Sequence, residues 1–262
     1  MNRALVRLTG YRLERPRPAK PARRPKPKPA KPPKAPAELP KDYDAAAKEI
    51  IRAVRPYTMT DPDKLFALIE AVRYASRHGI EGDVVECGVW RGGSMQAAAR
   101  TLIEAGDTER DLYLFDTFEG MPPPTERDRR RADDRPAAEL LAANTREKKV
   151  WAVATLDDVR DGFAQVPYPP ERVHFVKGRV EETIPDAAPE RIAILRLDTD
   201  WYESTRHELE HLYPRLVPGG VLLLDDYGYW EGAREAVDEW LAATGERLLL
   251  TRMASGRIAV KP

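Results

Sequence analysis

The chain has 262 residues, enough for one sizeable α/β domain with appendages, and its 43 basic and 43 acidic side chains cancel. The balance hides a split: residues 1–41 carry thirteen Lys/Arg against two acids, net +11, and the rest is net −11. A lone cysteine, Cys87, excludes an intrachain disulfide and fits a reducing compartment, and no apolar run is long enough to span a bilayer.

The opening MNRALVRLTGYRL lacks the apolar stretch and small-residue cleavage site of a secretory signal, so a cytoplasmic location is expected. Leu5, Val6, Leu8 and Leu13 admit a short amphipathic helix, although a disordered tail is favoured. Residues 16–40 are Pro/Lys/Ala-rich; proline removes backbone donors and like charges repel, so this stretch reads as an extended, solvated linker. The expected division is a basic tail over 1–41 and a folded domain over 42–262. The tail is open to peripheral contact with an anionic membrane or a protein; a nucleic-acid partner is not expected, and self-association into a homo-oligomer stays open.

Two helices, 44–55 and 62–78, open the domain as a helical cover, the second with Leu65, Leu68, Ile69 and Val72 at helical spacing. Strands at 83–87, 111–115, 172–176, 192–197 and 220–224 then alternate with helices at 94–105, 156–164, 203–213 and 231–243. The strands are short continuous apolar runs, as a parallel sheet covered on both faces requires. Two more, near 246–252 and 256–261, joined by a Ser255-Gly256 turn, close the sheet as a hairpin. The fold class is α/β, a seven-stranded, mostly parallel sheet with helices on both faces. Residues 121–150 are far too long for an ordinary connection and read as a lid insertion rather than a solvated charged loop.

Ligands of open α/β sheets bind outside the carboxyl ends of the strands, and four such ends carry polar residues. In VVECGVWRGGS, Glu86 closes a strand, and Gly88, Gly92 and Gly93 turn the chain into a helix whose N-terminus offers N–H groups. The spacing is not G-x-G-x-x-G, and Trp90 fills the place where a pyrophosphate needs close approach. That argues against NAD and suits a cofactor with a carboxylate and no pyrophosphate, such as S-adenosylmethionine. In LYLFDTFEG, Asp116 stands where an acid accepts ribose hydroxyls, with a helix-capping role as the alternative. LRLDTDWYEST and LLLDDYG bring Asp198, Asp200, Asp225 and Asp226 to one edge if their strands are neighbours. Such crowding raises carboxylate pKa values unless a cation binds, and all-oxygen ligands select a hard ion such as Mg²⁺; pairing with Arg196 or Arg206 is the alternative.

ECGVWRGGS, FDTFEGMP, LRLDTDWYEST and LYPRLVPGGVLLLDDY together resemble the macrocin O-methyltransferase family of class I, Rossmann-like enzymes, from about Tyr57 to the C-terminus. The resemblance implies S-adenosylmethionine- and Mg²⁺-dependent methylation of a sugar hydroxyl on a small-molecule glycoside or a polysaccharide. It implies Glu86, Gly88, Arg91, Gly92 and Ser94 around the methionine part of the cofactor and Asp116 and Thr117 at the ribose. Gly178 and Arg179 fall near the adenine, and Met59 and Thr60 line the pocket from the cover. Asp198, Asp225 and Asp226 become the metal ligands and Asp200 the general base. Two departures stand out: Thr199 where many members have glycine, and a lid rich in Arg and Asp. Methylation of a small phenol, or a non-catalytic scaffold on the same fold, remain the alternatives.

HELEH, His207 to His211, also spells the H-E-x-x-H of zinc proteases. Thr205, Leu209, Leu212, Tyr213 and Leu216 form the apolar stripe of that helix, so both histidines fall on the far face, toward water, and no third ligand follows. A zinc hydrolase is therefore not expected.

Overall fold

A computed structural model describes residues 38–262. The expected basic tail lies outside the described residues, apart from 38–41.

Helix α1 (Ala45–Val54) starts on Asp44, whose carboxylate accepts the Ala47 N–H at 2.9 Å and an Arg73 guanidinium N–H at 2.7 Å. Its apolar face, Ile50, Ile51 and Val54, packs with Leu65 and Ile69 of α2 (Pro62–Arg77), while Tyr43 stacks on Phe66 at 3.9 Å. Proline at the first position of α2 costs no hydrogen bond there and presets the helical φ. Together they form the expected cover.

The main sheet comprises β1 (Asp83–Cys87), β2 (Leu112–Asp116), β5 (Val173–Lys177), β6 (Ile192–Leu197), β7 (Leu216–Leu224), β8 (Thr251–Met253) and β9 (Gly256–Val260). Their order is β5-β2-β1-β6-β7-β9-β8, parallel through β7 and antiparallel in the closing hairpin. Helices α3 (Gly93–Ala105) and α5 (Leu156–Phe163) help bury one face with α2, in a core of Leu102, Leu112, Leu114, Ile194 and Leu223. Helices α7 (Tyr202–Leu212) and α8 (Glu231–Thr244) help bury the other, around Phe115, Leu195, Leu209 and Trp240. The expected fold class holds.

Some details differ. β2 and β5 each start one residue later than expected, and β7 starts four residues earlier, at Leu216, with a register shift against β6 around Pro218 and Gly219. The hairpin turn is Ala254-Ser255, one residue before the expected pair, with Ala254 at a left-handed φ of 49°. β8 is only three residues long, although Leu248 and Leu250 before it pack on the core while Leu249 faces solvent, the alternation of a strand. A short α6 (Val180–Thr183) was not expected.

The 121–150 insertion has structure of its own: a two-stranded ribbon, β3 (Arg129–Arg130) with β4 (Arg135–Pro136), then helix α4 (Ala137–Ala142). Ala137, Leu140 and Leu141 are buried with Trp201, Trp230 and Ala233, so the segment sits on the carboxyl side of the sheet rather than in solvent.

Candidate active site

The chain adds strands outward from β1 through β2 to β5, then returns to lay β6 against β1, so the sheet reverses between β1 and β6. At that switch point the ladders run on into the loops. The Asp198 N–H donates to the Cys87 carbonyl at 2.8 Å, and the Asp225 N–H donates to the Leu197 carbonyl at 2.9 Å. A cavity of about 560 Å³ opens here, lined by the ends of β1, β2, β5, β6 and β7, by the start of α2 and by the insertion.

Gly88 forms part of the wall at φ 83°, and a β-carbon there would lie 2.0 Å from the Asp198 carbonyl oxygen. Asp116 shapes the next stretch. One of its carboxylate oxygens accepts the Val89 and Trp90 N–H groups at 2.7 and 2.9 Å, and the other accepts the Phe118 N–H at 2.7 Å. The acid therefore clamps the β1 loop to its own, using part of its acceptor capacity. Burial pushes its pKa up even so, against the lowering effect of those three bonds.

The acidic edge is built on a buried arginine. Arg196 is 2% exposed and is the register partner of Glu86 across β1 and β6. Its guanidinium pairs with Glu86, donates to Asp198 at 2.7 Å and to Asp225 at 2.5 Å, and reaches the Thr60 hydroxyl at 3.1 Å. Lys64, from the first turn of α2, pairs with the other oxygen of Asp225 and donates to its main-chain carbonyl at 2.9 Å. Both Asp225 oxygens thus carry a cation, so the expected pairing alternative and the expected acidic cluster are both present.

Ligand oxygens of Asp198, Asp225 and Asp226 nevertheless lie within 4.8 Å of one another, and Asp226 Oδ2 is buried with no partner among the described residues. Among the described residues, five carboxylates, including Glu86 and Asp200, face two cations. Burial, then the charges of neighbouring acids, drives Asp226 well above the usual carboxylate range. Burial also drives Asp198 up against the pull of Arg196, whereas Arg196 and Lys64 overcome burial and hold Asp225 below that range. The donor set is all oxygen, is short of positive charge and holds an orphaned buried atom, so it fits a hard divalent cation.

Asp200 follows at φ 69°, its carboxylate accepting the Trp230 indole N–H at 2.5 Å. Burial raises its pKa to about 7, assisted by the charge of Asp198 and opposed by the indole bond. Trp230 packs edge-on against Trp201 at 5.0 Å, and the Trp201 indole donates to the Pro122 carbonyl at 3.0 Å. Asp128, fully buried, ties the insertion to the same corner: it accepts the Thr125 N–H at 2.6 Å and the Tyr202 N–H, at the start of α7, at 2.8 Å.

Met59, Thr60, Gly88, Ser94, Asp116 and Thr117 line the cavity, as do Gly178, Arg179, Asp198, Asp200, Asp225 and Asp226. Three expected cofactor residues do not. Glu86 lies beneath the wall, paired to Arg196, with burial raising its pKa to about 7. Arg91 turns outward, donating to the Pro56 carbonyl at 2.9 Å and lying over the Tyr57 ring. Gly92 begins α3 at φ 79° against Val159. Lys64, Trp230 and Asp128 escaped the sequence reading. Arg196 carried a signal, since a charge inside an apolar strand has to be paired. Lys64 carried none, because its partner is 161 residues away.

HELEH does not bring its His and Glu side chains together on one face. His207 donates to the Ile184 carbonyl through its Nε2–H at 3.0 Å, and the two rings lie 4.2 Å apart, both half-buried rather than turned fully to water as expected. Glu208 points the other way, fully buried beside Cys87 and Thr199, with its pKa driven up by burial. Among the described residues, the aspartate trio is the one group of three or more His, Cys, Asp or Glu side chains placed to share an ion.

The chain is similar to several known proteins. The chain is 36% identical over 189 residues, 72% of itself and 69% of the relative, to the 8-demethyl-8-(2,3-dimethoxy-α-L-rhamnosyl)-tetracenomycin-C 4′-O-methyltransferase of Streptomyces olivaceus. It is 36% identical over 185 residues, 70% of each chain, to the mycinamicin III 3″-O-methyltransferase of Micromonospora griseorubida. The solved structure of the O-methyltransferase NovP superposes with a TM-score of 0.68 at 30% identity, covering 78% of this chain and 82% of that one. Residues 36–253 match the family described as Macrocin-O-methyltransferase (TylF). A switch-point cavity floored by aspartates, on this sheet order and with these relatives, leads to one assignment: the chain belongs to the macrocin O-methyltransferase family of S-adenosylmethionine-dependent methyltransferases.

Proposed function

We propose that the protein transfers a methyl group from S-adenosylmethionine to a sugar hydroxyl of a glycosylated small molecule, with Mg²⁺ at Asp198, Asp225 and Asp226. The observation that carries this reading is the single cavity whose wall holds the glycine turn at Gly88, the aspartate trio and Asp200 together. The relatives' printed names point the same way on the acceptor, two of them specifying positions on glycosylated natural products.

Bound S-adenosylmethionine supplies an electrophilic sulfonium methyl, and bound Mg²⁺ supplies Lewis acidity toward an acceptor hydroxyl. The chain's own residues do the rest. Gly88 and the N–H groups ordered by Asp116 shape a wall with room for the cofactor's amino-acid end and ribose. Asp200 accepts the acceptor's proton: burial raises its carboxyl to about 7, basic enough to take a proton near neutral pH. The Trp230 indole fixes the rotamer of that carboxylate. Met121, Leu140, Trp201 and Tyr229 contribute apolar surface, suited to the flat face of a sugar or its aglycone, and the insertion keeps water from the reacting edge.

Transfer of labelled methyl to a panel of natural-product glycosides, with simple phenols as a second panel, tests the reading in Mg²⁺ and again in EDTA. Transfer to glycosides that EDTA abolishes is expected. Transfer to phenols alone removes the sugar assignment, and undiminished rates in EDTA remove the metal.

A further inference from the structure

Lys64 sits where three ordinary forces oppose an ammonium group. Its side chain is 7% exposed, so its charge has left water. It lies in the first turn of α2, at the positive end of the helix dipole. It also shares one carboxylate with Arg196, a second cation. What holds it is the acidic edge: Asp225 takes its ammonium through both the carboxylate and the main-chain carbonyl.

The same carboxylate belongs to the trio whose oxygens converge within 4.8 Å, and there Asp226 Oδ2 is buried and unpartnered. A divalent ion bound by the trio and the Lys64 ammonium would draw on one Asp225 oxygen. We infer that Lys64 is a tethered cation that stands in for the metal, competing with the divalent ion for Asp225 and setting the affinity of the site. This rests on the reading of Asp198, Asp225 and Asp226 as the metal site and goes beyond it, because it gives a residue outside the ligand set control over occupancy.

The competition reaches the cover. Lys64 is four residues beyond Thr60, whose hydroxyl accepts from Arg196 at 3.1 Å and meets the Ser94 hydroxyl at 3.3 Å. Release of Lys64 from Asp225 therefore frees the start of α2 from one of its ties to the sheet edge. Arg196 cannot play this part, since three carboxylates hold it from inside β6. The lysine is the tie with a flexible stem.

Mn²⁺ binding to the full chain, without cofactor or acceptor, tests this by the loss of the free-ion EPR signal. Lys64→Met is expected to bind at least about tenfold more tightly than wild type, and Lys64→Arg, which keeps the cation, to stay within about threefold of it. Lys64→Gln serves in place of Lys64→Met should the latter not fold, with circular dichroism as the check. Mn²⁺ should also raise the Tm of Lys64→Met by more than it raises that of wild type, since the ion then replaces a missing charge. Asp226→Asn should abolish binding in either background. Equal or weaker binding by Lys64→Met or Lys64→Gln, where wild type binds and Asp226→Asn does not, overturns the inference and leaves the metal reading standing. No binding by wild type or by any variant overturns both.

Discussion

Gly88 and Asp198 touch backbone to backbone: a β-carbon on the glycine would fall 2.0 Å from the aspartate's carbonyl oxygen, and the Asp198 N–H already donates to the residue before it, Cys87, at 2.8 Å. The cofactor-side loop and the acid-bearing loop are thus one junction. Gly88→Ala has to separate β1 from β6 at their carboxyl ends and hold alanine at φ 83°. Calorimetry with S-adenosylmethionine should find affinity down by at least about tenfold, together with a lower Tm, because backbone has no rotamer with which to yield. Wild-type affinity in Gly88→Ala would mean that the junction relaxes freely.

Arg196 joins Glu86, Asp198 and Asp225, and removing it leaves Glu86 and Asp198 without their cation and Asp225 with Lys64 alone. Arg196→Met is expected to cost about 3–5 kcal/mol in urea unfolding, the range for breaking a buried ion pair from one side. Adding Glu86→Gln should recover part of the loss, since one of the stranded charges is then gone. A loss below about 1 kcal/mol would show that the acids take up protons instead.

Asp200→Asn keeps an acceptor for the Trp230 indole and removes the proposed base. The expected result is a fall in kcat of about a hundredfold or more with KM little changed, the signature of a group that acts in the transition state. An unchanged kcat assigns the proton to another acceptor.

Stability should depend on pH with a definite sign. Asp198, Asp226, Asp200 and Glu86 are all raised in the folded protein, the last two to about 7, mainly by burial. Asp225 alone of this cluster is lowered. Raised carboxyls bind more protons folded than unfolded, so their contribution is full below the unfolded value of about 4 and is lost as pH climbs through about 7. Thermal melts in EDTA should show Tm falling from about pH 5 to about pH 8, and Mg²⁺ should flatten the decline. A Tm that rises over this range in EDTA contradicts the charge assignment.

Asp128 carries the insertion's attachment, with the Thr125 and Tyr202 N–H groups on its two oxygens and Gly232 packed close enough that a β-carbon there would lie 2.2 Å away. Asp128→Ala should raise amide exchange across 125–142 without changing exchange in β1 or β6, and should raise KM for the acceptor more than for the cofactor. Unchanged exchange in the insertion would place its anchoring elsewhere, on the Leu140–Trp201–Trp230 contacts.

The sheet was legible because four of its five parallel strands, β1, β2, β6 and β7, are largely apolar runs that stop at Cys87-Gly88, Asp116, Asp198 and Asp225. Periodicity reports burial, and these strands are buried on both faces. The aspartate trio and Asp200 were legible for the same reason, as acids placed immediately after apolar runs. What escaped depends on distance along the chain. Lys64 meets Asp225, Trp230 meets Asp200 and Asp128 meets Tyr202 across 161, 30 and 74 residues, and no local pattern encodes those meetings. Arg91 and Gly92 adjoin cavity residues in sequence, but Arg91 turns to the Pro56 carbonyl and Gly92 packs against Val159 at the start of α3. The β3–β4 ribbon was hidden by composition, because its arginines pair with its own aspartates, Arg129 with Asp134 and Arg130 with Asp133, instead of marking a solvated run.

The indole of Trp230 is bonded to the carboxylate at the reacting edge and stacked edge-on against Trp201. An indole's emission follows the charge and polarity beside its ring nitrogen. Trp230's share of the intrinsic fluorescence, isolated by replacing the other four tryptophans, should therefore shift when a ligand reaches the carboxylate of Asp200, without a label and before any methyl group has moved.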